Sequence, residues 1–181
     1  MTLNPVEVVS YVKSTMPGFR EFMTVDELNE SSMRLAREHG DLVEAFEAGE
    51  SRSGEPVYAL RIGDGDRCVL AFAFPHPNEP VGGLTLEYLS WRLVLDRELL
   101  RSLNSTWVIV KVADVFGARL NEGWFKGAFH PRKYALNYYR PPGYKQVEWS
   151  FPISYKSLKW DKPTPETRAL MKLIDEYRPD L

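Results

Sequence analysis

The apolar run Leu70-Ala71-Phe72-Ala73-Phe74 stops abruptly at Pro75-His76-Pro77-Asn78-Glu79. A short apolar run closed by turn residues reads as a buried strand. The strand is expected over Cys68 to Phe74, dense enough in apolar residues to be covered on both faces. Pro80 follows Glu79 at a natural first helical position. The segment is therefore a strand, a turn stiffened by two prolines, and a helix. His76 and Glu79 lie three residues apart at the junction. Both side chains can converge beyond the strand's C-terminal end, where open α/β sheets place ligands. An imidazole and a carboxylate supply two of the three protein donors of a His/His/Glu catalytic zinc site. His76 and Glu79 are thus candidate metal ligands. Zinc takes about four ligands near 2 Å, so the pair does not complete a site.

The flanking segments extend this core. Asn4-Pro5-Val6-Glu7 carries an Asn cap and Pro at the first helical position, and Pro17-Gly18 ends that helix. Thr24-Val25-Asp26-Glu27 is a capping box opening a helix that stops at Gly40. Leu42 to Ala48 and Val57 to Ile62 read as strands of a hairpin, with Glu50 to Pro56 as its turn. Leu84, Leu86, Tyr88, Leu89, Leu93 and Val94 give the helix after Pro80 a wide apolar stripe. Thr106 to Ala113 reads as a second buried strand, so a right-handed βαβ unit is the expected core. From Asp114 to Lys162 the chain turns irregular and aromatic. A long irregular segment inside a compact domain is commonly functional. Thr164-Pro165-Glu166 caps a last helix, with Leu170, Leu173, Ile174 and Tyr177 on one face, broken at Arg178-Pro179. Pro179-Asp180-Leu181 then reads as entry into a further strand, leaving the architecture incomplete at the C-terminus.

Composition narrows the function classes. The 181 residues suit one domain, or part of one. A net charge of −2 offers no basic field for nucleic acid. No apolar run approaches the roughly 20 residues that span a bilayer. The start Met1-Thr2-Leu3-Asn4-Pro5 shows no signal peptide, and the single Cys68 cannot form an intrachain disulfide. Both fit a cytoplasmic protein. Residues 1–23 are read as an N-terminal helical arm on a single domain.

Other residues carry chemistry as well. His39, in the last turn of its helix, complements the helix dipole. His130, between Phe129 and Pro131, is a surface histidine or a remote candidate ligand. Arg119 follows the second strand on the same sheet rim as His76. Its forked donors suit a carbonyl or carboxylate, or a salt bridge to Asp114 or Glu122. Arg140 stands on a stiff loop before Pro141-Pro142. Trp124 and Trp149 can line a cleft or fill the core.

Taken together, these segments resemble the zinc carboxypeptidase family of carboxypeptidase A type, in its compact bacterial and archaeal members. Residues 49–63, beginning Gly49-Glu50-Ser51-Arg52-Ser53-Gly54-Glu55-Pro56-Val57, are similar to that family's G-x-S-x-x-G-x-P-[IV] hairpin. The strand into His76-Pro77-Asn78-Glu79 resembles its H-x-x-E zinc motif. Asp114 through Asn121 resembles its Asp-Gly…Arg segment, and Thr164 to Leu170 the helix before the strand bearing the second zinc His.

The resemblance implies an α/β fold, three-layer α/β/α with a mixed sheet, phosphorylase/hydrolase-like, of which this chain is the N-terminal part. It implies zinc-dependent hydrolysis of peptide or amide bonds, with His76 and Glu79 on Zn2+ and the third ligand beyond Leu181. Arg119 would be the catalytic arginine, polarising the carbonyl or clamping the substrate. Asn121 and Arg140 would bind substrate, although Glu122 stands where the family's Asn-Arg pair has its arginine. Substrates would be peptides or acyl-amino acids, and a C-terminal partner chain or homo-oligomer could complete the site. An aspartoacylase-type or succinylglutamate desuccinylase-type deacylase shares H-x-x-E and is the enzymatic alternative. The non-catalytic alternative is a fragment that binds a peptide or partner.

Overall fold

A computed structural model describes residues 4–181. The expectation for the N-terminal arm lies partly on residues 1–3, outside the described residues. Asn4 caps helix α1 (Pro5–Thr15), accepting from the Val6 amide at 2.9 Å. Thr24 and Glu27 close the expected capping box on α2 (Val25–Glu38), whose Val25, Leu28 and Leu35 are buried.

A four-stranded sheet follows, made of β1 (Val43–Glu50), β2 (Pro56–Ile62), β3 (Arg67–Phe72) and β4 (Ser105–Val110). Its order is β1-β2-β4-β3, with β1, β2 and β4 antiparallel and β3 parallel to β4. The sheet is thus mixed, and the crossover from β3 to β4 runs through α3 (Val81–Leu95) and α4 (Arg97–Leu103). Leu60 and Ile62 share a face with Ile109 and Trp107, and α2 and α3 pack on the sheet. Tyr58, on that same side by alternation, joins residues of α2 around one cavity. The opposite side carries Phe46 and Gly49 of β1, which meet α7 (Pro165–Tyr177). The Phe46 and Tyr177 rings lie 6.3 Å apart, and a Cβ on Gly49 would come within 2.9 Å of Ala169 Cβ. Helices on both faces of a mixed sheet confirm the expected three-layer architecture.

β3 corrects one expectation. It is an edge strand with partly exposed side chains, and β4 is the buried interior strand. Its apolar density reads as double coverage, but composition cannot distinguish a central strand from an edge next to it. Residues 180 and 181 run alongside β3. The Asp180 amide donates to the Cys68 carbonyl at 2.8 Å, and the Leu70 amide to the Leu181 carbonyl at 2.9 Å. The strand also ends at Phe72, two residues early. Phe74 takes a left-handed φ of 55° and turns its ring into the core against Phe125.

The segment after β4 is built of short ordered elements. Asp114 caps α5 (Val115–Asn121) through the Gly117 amide. α6 (Pro131–Asn137) and a small hairpin of β5 (Ile153–Tyr155) and β6 (Leu158–Trp160) follow. Phe22, Trp124, Phe125, Tyr134, Phe129 and Tyr138 form a chain of edge and tilted ring contacts. No helix among the described residues is long and apolar enough to cross a membrane.

Candidate metal centre

The chain emerging from β3 is held beside β4 and the residues after it: the Ala73 amide donates to the Val110 carbonyl, and the Ala113 and Asp114 amides donate to the Ala73 and Phe74 carbonyls. It then enters the turn that carries His76 and Glu79. The turn closes on itself, with the Glu79 amide donating to the His76 carbonyl at 3.1 Å. It rests on α5. A Cβ built on Gly117 would lie 2.5 Å from Pro77 Cβ, so only glycine lets the helix approach this closely.

The turn brings His76 Nδ1 to 3.1 Å from Glu79 Oε1. On the other side of the ring, His76 Nε2 lies 2.6 Å from Glu148 Oε1. The second approach is an ion-pair distance without hydrogen-bond alignment, and neither Glu148 oxygen has a hydrogen-bond partner although both are buried. Asn78 Oδ1, within the same turn, is also buried and unpartnered. Arg140 reaches the site from the aromatic segment, with Nη1 3.4 Å from Glu79 Oε1. Acceptors therefore outnumber donors here.

The donor chemistry fits a cation on one side of the ring. Two acceptor atoms 3.1 Å apart suit neighbouring positions around a zinc ion with bonds of about 2 Å. Glu148 cannot join that ion, because the two imidazole nitrogens point away from each other. Among the described residues, no group of three or more His, Cys, Asp or Glu is arranged to hold a metal ion. His76 and Glu79 thus fit two positions of a zinc site and leave the rest open.

The remaining candidates are placed elsewhere. Arg119 points to the far side of α5, where Nε donates to Glu55 Oε2 at 2.9 Å and Nη2 to Asp26 Oδ1 at 2.6 Å. Glu122 lies 3.5 Å from Nη1. The hydrogen bond that Arg119 donates to Asp26, and then the one it donates to Glu55, hold the guanidinium pKa above its ordinary value. Arg119, Glu55 and Asp26 line a cavity of about 820 Å³ beside α2, and no donor of Arg119 is directed at His76 or Glu79. The salt bridge to Glu122 is the alternative that its sequence position allowed.

Asn121 is fully buried. Its Nδ2 donates to the Gly117 and Tyr139 carbonyls, and its Oδ1 accepts from the Tyr139 amide and Trp124 Nε1. It clamps the residue before Arg140. His130 caps α6, its Nδ1 accepting from the Arg132 amide at 3.2 Å. His39 ends α2, edge-on to Trp91.

Glu148 is the residue that sequence reasoning missed. Only its place in Gln146-Val147-Glu148-Trp149, inside the aromatic segment, could have drawn notice. Another buried group lies just behind the site. Arg52, from the β1–β2 turn, donates to Asp114 and, at 3.1 Å from Nε, to Glu166 Oε1. Burial pushes the Asp114 carboxyl upward, and Arg52 works against that.

No family model matches this sequence, and no curated protein matches it. Solved structures do share the fold. Carboxypeptidase A from Helicoverpa armigera superposes with a TM-score of 0.61 at 19% identity, over 97% of this chain and 51% of that one. Bovine thrombin-activatable fibrinolysis inhibitor, in complex with tick carboxypeptidase inhibitor, gives 0.59 at 13% identity, over 86% and 56%. A metallo-carboxypeptidase from Pseudomonas aeruginosa, in complex with (2-guanidinoethylmercapto)succinic acid, gives 0.55 at 21% identity, over 84% and 37%. The chain spans about half the length of the first two. The chain therefore has the mixed α/β fold found in these carboxypeptidases.

Proposed function

We propose that this chain carries part of the zinc site of a metallocarboxypeptidase-like hydrolase acting on peptides or amidated amino acids. The observation that carries the reading is the pairing of His76 Nδ1 with Glu79 Oε1 at 3.1 Å, on the turn after β3. The shared fold supports it. His76 and Glu79 would hold the ion, and a donor from outside this set would complete the coordination. Bound zinc supplies Lewis-acid polarisation of a carbonyl and an activated water.

The chain's own residues prepare that chemistry. Pro75 and Pro77 stiffen the turn, and Gly117 seats it. Glu148 Oε1 lies beside the far nitrogen of His76 and would fix the ring, leaving Nδ1 as the atom that faces Glu79. Arg140 is the positive group beside the pair and is suited to an anionic substrate end. Arg119 would act on substrate only after release from its three carboxylates.

Calorimetric zinc titration tests the reading. Wild-type protein should bind one zinc ion, and His76→Ala and Glu79→Gln should each weaken binding at least tenfold. Equal zinc affinity in all three proteins would remove the metal pair from the reading.

A further inference from the structure

Glu79 Oε1 faces two partners at once. It is 3.1 Å from His76 Nδ1 and 3.4 Å from Arg140 Nη1. A cation taken up between His76 and Glu79 draws on the same carboxylate that neutralises Arg140. The arginine cannot simply follow it. The Tyr139 backbone is pinned at both its amide and its carbonyl by the buried Asn121. Gln146 accepts from Arg140 Nη2 at 3.3 Å while donating to the Pro141 carbonyl at 2.9 Å. The guanidinium is thus tethered from behind, and its side chain is about one-third exposed in front. Two of its five donors are in use, which leaves room for a planar carboxylate to bind in a fork.

We infer that Arg140 is a carboxylate-binding site masked by Glu79, and that a cation held by Glu79 unmasks it. The inference rests on the proposed function only for the identity of that cation. Neutralising Glu79 by substitution should unmask Arg140 without any metal. Where metal is present, the coupling is reciprocal: the factor by which the cation tightens the carboxylate equals the factor by which the carboxylate tightens the cation.

The probe is N-acetylglycine, a small monocarboxylate, titrated by calorimetry into metal-free protein. Glu79→Gln should bind it about tenfold more tightly than wild type, the gain expected of one charge-assisted contact. The double variant Glu79→Gln/Arg140→Ala should lose that gain, which separates a specific site from the general effect of removing a negative charge. Zinc should then tighten N-acetylglycine on the wild type by a similar factor, and the coupling should vanish in Arg140→Ala. A gain that survives without Arg140, or no gain in Glu79→Gln, overturns the inference. Coupling that persists in Arg140→Ala places the carboxylate on the metal and also overturns it. If the wild type binds no zinc, the metal pair fails, and the metal-free comparison still decides the case of Arg140. Circular dichroism melts of each variant confirm that it is folded.

Discussion

Arg52 and Asp114 are paired across the gap between the β1–β2 turn and the first residue of the path into α5, with the Asp114 side chain wholly buried. Three residues after Arg52, Glu55 receives Arg119 from the other end of α5. One turn thus grips both ends of the helix that seats His76 and Glu79. Asp114 Oδ1 also accepts from the Gly117 amide at 2.8 Å, so the same oxygen caps α5 and meets Arg52. The turn that resembles a carboxypeptidase hairpin therefore has a structural role here.

Arg52→Ala should be severely destabilising. It leaves Asp114 and Glu166 buried without their shared counter-charge, a change that typically costs about 3–5 kcal/mol. Asp114 already sits above the ordinary carboxyl range because it is buried, and loss of Arg52 removes what opposes that rise. A carboxyl with a raised folded-state pKa favours the fold below its unfolded pKa, and that contribution is lost as pH rises through the folded value. The cost of the substitution should therefore shrink between neutral pH and about pH 4. Urea unfolding at both pH values checks this. A cost that is flat or larger in acid would contradict the assignment.

Gly117→Ala should disturb the His76–Glu79 turn more than its size suggests. The added methyl would lie 2.5 Å from Pro77 Cβ and 2.7 Å from Asp114 Oδ2, and neither can move freely. Overpacking of this kind costs about 1–3 kcal/mol. Thermal melts should show the loss, and zinc titration should show weaker binding because His76 and Glu79 ride on the displaced turn. Unchanged zinc affinity in a destabilised protein would separate the seat from the site.

The His76–Glu79 turn was legible in the sequence because its signals are local. An apolar run, two prolines and a three-residue spacing all lie within ten residues. The capping box at Thr24 and the N-cap at Thr164 were legible for the same reason. The edge position of β3 was not, since it depends on β4 also pairing with β2, as in Ile62 with Trp107 and Leu60 with Ile109, far apart in the chain. Glu148 was invisible because it is 72 residues from His76. Nothing in Gln146-Val147-Glu148 marks it until the aromatic segment folds back. Arg119 reads from sequence as a rim arginine, but rotation about a seven-residue helix decides which side it faces.

Glu148→Gln tests the support given to His76. A partner on the far nitrogen of a metal-bound histidine fixes ring orientation and raises its basicity, and its loss usually costs about 10–100-fold in metal affinity. Glutamine keeps the volume and removes the charge. Zinc titration should therefore show weaker binding with little change in melting temperature. Equal affinity would mean that the 2.6 Å approach is incidental to the ion.

Helix α1 should detach first in acid. It is tied down by Tyr11, whose hydroxyl donates to Asp96 Oδ2 at 2.6 Å, and by a 2.5 Å contact between Thr15 and Tyr88. The Tyr11 hydrogen bond, and then the Leu99 amide, hold the Asp96 carboxyl below its ordinary range. A carboxyl with a lowered folded-state pKa contributes stability above its unfolded pKa, and that stability is lost as pH falls through the folded value. Protonation of Asp96 below about pH 4 therefore loosens the α1 anchor. It also weakens the cap that Asp96 provides to α4 through the Leu99 amide. Hydrogen exchange should show residues 5–15 losing protection at a higher pH than α2. Tyr11→Phe should show the same loss already at neutral pH. Equal acid sensitivity in α1 and α2, or full α1 protection in Tyr11→Phe, would show that the helix is held by something other than this contact.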